Sequence, residues 1–77
     1  MIAIDIAPMI DVAGTGAIIG ERIRSSDYSV KDVAGYLGTD TASVYRYMRG
    51  DVLPSTDRLL MLSTLLHVTI NDLLAIA

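Results

Sequence analysis

Between Ser29 and Tyr47 the chain reads SVKDVAGYLGTDTASVYRY, and Ala34, Gly38 and Val44 within it restrict how that stretch can fold. Capping residues predict a helix on each side of Gly38: Ser29 with Asp32 three residues on, then Asp40 directly before Thr41. Two short helices that cross steeply over a tight turn leave little room between their backbones, so the crossing point demands a small side chain. Ala34 supplies it. The turn needs a residue at ease with positive φ, which Gly38 provides. Val44 and Tyr47 are then expected to drop back on Val33 and Leu37.

The same punctuation continues along the chain. Ile2, Ile4 and Ile6 alternate with Ala3 and Asp5 before Pro8, which reads as a short strand or extended arm over residues 1–10. From 11 to 77 the chain reads as one helical domain. Asp11 caps a helix running to about Arg24, with Val12, Thr15, Ile19 and Ile23 on one stripe. Gly14, Gly16 and Gly20 weaken it by about 1 kcal/mol each relative to alanine, so tertiary packing must hold it. Gly38 ends the second helix. The third runs from Thr41 to about Met48 and closes at Gly50 in a left-handed conformation. Ser55 caps a fourth helix with Leu59, Leu62, Leu65 and Leu66 inward, ending near His67. Thr69 with Asp72 starts a fifth, expected to bear Leu73, Leu74 and Ile76. The fold class is all-α: five helices behind an extended arm.

Bulk properties narrow the function classes. With 77 residues the chain holds one domain, and with no cysteine and a single histidine, His67, a structural metal site is not expected. No segment reaches the roughly 20 uninterrupted apolar residues of a membrane span, and the N-terminus lacks a basic signal region. A cytoplasmic, nucleoid-associated location is the expectation. Nine acids against six bases give a net charge of −3, the wrong sign for a general nucleic-acid binder. Asp11, Asp40 and Asp57, however, stand where helix N-termini favour acids, while Lys31, Arg46 and Arg49 lie in or beside the two-helix unit.

That unit is a helix-turn-helix, which presents its second helix to the DNA major groove. With Arg49-Gly50, Leu53-Pro54-Ser55, the leucine stripe and the capped terminal helix, the chain from Ile19 to Ile76 resembles the Cro and lambda-repressor type of DNA-binding domain (XRE-like). The resemblance implies a sequence-specific transcriptional regulator, a repressor binding a short inverted repeat of double-stranded DNA as a homodimer. It further implies that Thr41, Ala42, Ser43 and Arg46 read bases and that Ser29, Val30, Tyr45 and Arg49 contact phosphate. The chemistry agrees: an arginine offers a bidentate fork to guanine, hydroxyls donate to phosphate or base, and an alanine methyl meets a thymine methyl. The alternative is a protein-binding module of the same fold, an antitoxin or antirepressor whose partner is a toxin or second regulator. Net acidity and a recognition helix with few polar side chains favour that alternative.

Other signals have plainer readings. Gly14, Gly16 and Gly20 after an isoleucine-rich start mimic a dinucleotide-binding turn, yet no second parallel strand follows, so close helix packing is the better account. His67 is expected to cap a helix C-terminus, and Asp51 and Asp57 to be solvated loop or cap acids, so neither an enzyme nor a cofactor is expected. Ile2, Ile4, Ile6, Ile18, Leu60, Met61 and Ile76 remain unassigned after the helical stripes are filled. They either thicken the core or make an interface, and an interface between two copies is the expectation, against an arm folded across its own domain.

Overall fold

The computed structural model describes residues 9–77, so Ile2, Ile4 and Ile6 and most of the expected arm lie outside the described residues. Among the described residues the chain forms α1 (Val12–Arg24), α2 (Val30–Leu37), α3 (Thr41–Arg49), α4 (Thr56–Leu66) and α5 (Ile70–Leu73). None of these helices is long and apolar enough to cross a membrane.

Each helix starts where a side chain takes an orphan backbone N–H. The Asp11 carboxylate accepts from Gly14 at 3.0 Å, Asp40 from Ser43 at 2.8 Å, and the Ser55 hydroxyl from Arg58 at 3.3 Å. Full capping boxes open α2 (Ser29 with Asp32) and α5 (Thr69 with Asp72). Gly38 ends α2 at φ 71°, the left-handed region that costs glycine little. His67 ends α4 at φ 57°. There the backbone N–H bonds Ser63 and Thr64, so the cap is made by the main chain and not by the expected imidazole.

Ile19, Ile23, Val33, Ala34, Leu37, Val44, Tyr47, Leu59, Leu62 and Leu73 form one buried core. Burying Ile19 and Ile23 contributes about 1.5–3 kcal/mol each, which offsets the propensity lost at the three glycines of α1. Ile18 and Met61, left without a role by periodicity, pack half-buried against this core, whereas Leu60 and Ile76 stay exposed. The surplus of apolar residues is thus divided between interior and surface.

The fifth helix is shorter than its apolar spacing suggests. It stops at Leu73, and Leu74 turns extended at φ −94°, ψ 132°, so neither Leu74 nor Ile76 is helical. Ile76 instead faces Ile10 in an isolated antiparallel bridge, with Asp11 N–H donating to Ala75 C=O and Ala77 N–H to Met9 C=O, both at 2.8 Å. The Ala75 N–H donates to the Thr15 hydroxyl at 2.9 Å. Pairing satisfies the Asp11 and Ala77 N–H groups and the Ala75 and Met9 carbonyls. Thr15, fully buried, is held by this clasp.

Candidate nucleic-acid interface

The face that α3 turns to solvent follows from its inner face. Val44 and Tyr47 are buried and Ser43 and Met48 half-buried, while Thr41, Ala42, Tyr45, Arg46 and Arg49 are exposed. At about 100° per residue these five occupy one arc of about 140°. The residues expected from sequence to read bases or touch phosphate on α3 therefore share a single face, except Ser43. Its backbone N–H is bound to Asp40 and its side chain turns partly inward.

Two supports fix the height and tilt of that helix. The first is α2, whose Val33, Ala34 and Leu37 are buried with Val44 and Tyr47 in the shared core. The second is α1. A Cβ at Gly16 would lie 2.3 Å from the Tyr47 carbonyl oxygen and 2.7 Å from the Gly50 nitrogen, so the α1 backbone rests directly on the end of α3. Gly50 closes α3 at φ 75° and would in turn crowd the Ala13 backbone if it carried a side chain. The close packing anticipated at the α1 glycines is present, and at Gly16 its partner is backbone, whereas Gly14 and Gly20 face side chains of Asp11, Ala75, Arg24 and Met48.

Ser29 and Val30 stand at the start of α2. Val30 is half-buried with its side chain packed against the core, so what it offers at the helix start is its main chain. A β-branched apolar residue in the first turn gains more from the core than from water. Ser29 is exposed, but its hydroxyl accepts the Asp32 N–H at 3.0 Å and its own N–H donates to the Asp32 carboxylate at 3.0 Å. Its hydroxyl proton stays available as a donor.

An ion pair stands at the end of the exposed arc. The Arg49 guanidinium donates from Nε to Asp51 Oδ2 at 3.0 Å, with Nη2 also 3.0 Å from the same oxygen. The Ser43 N–H, and then its hydroxyl, hold the Asp40 carboxyl below the usual carboxylate range, with the Arg46 charge adding to the effect. The Asp32 carboxyl is lowered in the same way by the Ser29 N–H and hydroxyl, with Lys31 adding less. Arg58, which sequence reasoning left without a role, donates from Nη1 to the Tyr47 hydroxyl at 2.7 Å and ties the first turn of α4 to α3. The two residues lie eleven apart on different helices, and no local spacing signals such a pair.

The family model described as Helix-turn-helix matches residues 19–73. The chain belongs to the helix-turn-helix family. It is of the XRE type, to which Cro and lambda repressor also belong. Among solved structures it is similar to the restriction-modification controller protein C.AhdI from Aeromonas hydrophila, at a TM-score of 0.73 and 25% sequence identity, over 82% of this chain and 96% of that one. No curated protein matches the chain. The family and this likeness support a DNA-binding transcriptional regulator, all-helical and built as the two-helix unit implies.

Proposed function

We propose that this helix-turn-helix protein is a repressor that binds a short inverted repeat as a homodimer, setting α3 of each copy into successive major grooves. The observation that carries this reading is the exposed arc of α3, where Thr41, Ala42, Tyr45, Arg46 and Arg49 stand together on a helix braced from behind by α1 and α2. Arg46 reads a base edge, with Thr41 and Ala42 one turn earlier, and Arg49 at the helix end positions the domain on phosphate. Exposed Leu60, Ile76 and Ile10 supply apolar surface for a second copy. The setting is the cytoplasm, and no catalytic step, cofactor or metal belongs to this reading.

Selection from a randomised duplex library, followed by quantitative binding at two salt concentrations, tests it. Arg46→Ala should cost about 1–3 kcal/mol and relax preference at one base pair, whereas Arg49→Ala should weaken all sequences alike and reduce the salt slope by about one. Light scattering of the free protein should give the mass of two chains, and a monomer at micromolar concentration would overturn the dimer. If the parent binds no duplex, the antitoxin or antirepressor reading replaces this one; the net charge of −3 and the pairing of Arg49 with Asp51 favour that alternative.

A further inference from the structure

We infer that Asp51 sets the DNA affinity of this chain, as an internal carboxylate that a DNA phosphate must displace from Arg49. The inference rests on the reading of Arg49 as a phosphate contact. Both Nε and Nη2 of Arg49, which form one edge of the guanidinium fork, point at Asp51 Oδ2 at 3.0 Å. A phosphate approaching that edge meets an oxygen anion already in place. It must either remove the carboxylate or settle for the remaining donors with a negative charge beside it.

The position of Asp51 is fixed by the fold. It follows the α3 cap at Gly50, and its backbone N–H donates to the Arg46 carbonyl at 3.0 Å, so the residue is anchored at the end of the helix that bears the exposed arc. A carboxylate at a helix C-terminus stands against the helix dipole, which favours cations there. Asp51 therefore does not serve α3 electrostatically, and its partner is Arg49. The pair is open to water, with side-chain exposures of 64% and 53%, and this limits its strength. Exposed pairs of this kind correspond to an affinity change of about two- to fivefold. Because the restraint acts on a phosphate contact, it applies to every DNA sequence and lowers occupancy of non-specific DNA along with that of the operator.

Anisotropy titrations with a labelled random-sequence duplex and a library-selected duplex, at low and high salt, test the inference on the full chain. The set comprises the parent, Asp51→Asn, Arg49→Ala and the double variant. Asp51→Asn, which keeps the shape and the backbone bond to Arg46, should bind both duplexes about two- to fivefold more tightly, with a smaller gain at high salt. In the Arg49→Ala background the same change should bring little or no gain. Equal gains with and without Arg49 would show a general charge effect and overturn the pairing argument. So would binding by the parent with no tightening in Asp51→Asn, confirmed with Asp51→Ala. If neither the parent nor Asp51→Asn binds any duplex, the DNA reading itself fails and this inference fails with it.

Discussion

Replacing Gly16 by alanine separates two effects that oppose each other in sign. Alanine is the better helix former by about 1 kcal/mol, so in an open helix the change would stabilise. At Gly16 the new methyl would lie 2.3 Å from the Tyr47 carbonyl oxygen, 2.7 Å from the Gly50 nitrogen and 2.9 Å from its Cα, where ordinary contact begins near 3.4 Å. None of these atoms can rotate away. The Tyr47 carbonyl also accepts the Gly50 N–H at 3.1 Å, so moving it disturbs the bond that ends α3. Overpacking costs about 1–3 kcal/mol, and rigid backbone neighbours place this case at the upper end, leaving a net loss of about 2 kcal/mol. In a domain of this size that lowers Tm by about 8–16 °C. Gly35→Ala is the control, since nothing lies within 4 Å of a Cβ there and the helix-propensity gain should appear undiminished. Thermal and urea unfolding at one fixed protein concentration measure both variants. Gly16→Ala as stable as Gly35→Ala, or as the parent, would refute the claim that α1 rests on the backbone of α3.

Two further outcomes are expected. His67→Gly should raise stability by up to about 1 kcal/mol in urea, because φ 57° strains a residue with a Cβ and the cap is made by main-chain bonds that glycine keeps; a loss of stability would mean that the imidazole contributes. Asp32, Asp40 and Asp72 have carboxyls lowered chiefly by the backbone N–H groups of Ser29, Ser43 and Thr69, so the stability they lend is complete above the ordinary carboxylate range and is lost as pH falls through their depressed values. Tm should hold level down to about pH 4.5 and then fall, and Asp40→Asn should lower the plateau and flatten the fall. A Tm equally flat in the parent at low pH would contradict the capping account.

Most helix ends were legible in the sequence because they depend on residues three or four positions apart. Asp11, Ser29, Asp40, Ser55 and Thr69 have the residue type and place of caps in the sequence, and each accepts the N–H three residues on. The exposed arc of α3 was legible for the same reason, since one helical period places Thr41, Ala42, Tyr45, Arg46 and Arg49 together once Val44 and Tyr47 turn inward. What periodicity could not supply was the partner on the other side. Leu74 and Ile76 carry helical spacing, yet pairing with the segment around Ile10 overrides it. The resemblance implies a phosphate contact at Val30, and nothing in its local spacing shows that its side chain packs against the core. Arg58 and Tyr47 carry no mutual signal, and the pairing of Arg49 with Asp51 depends on how the chain leaves Gly50.

The clasp of residues 9–11 against 75–77 also bears on the order in which the molecule assembles. Its bond from Ala75 to Thr15 joins groups 60 residues apart in sequence, whereas α2 and α3 are joined by a single short turn. Closing the longer loop first would cost about 1.5 kcal/mol more chain entropy, so the two-helix unit forms early and the clasp closes late. In reverse, the clasp is expected to open first. The opened state expected from this order keeps α2 and α3 docked while residues 9–11 and 75–77 part, and native-state hydrogen exchange tests it: the Asp11 and Ala75 amides should exchange sooner than that of Val44. Equal protection at all three would mean that the chain opens only as a whole.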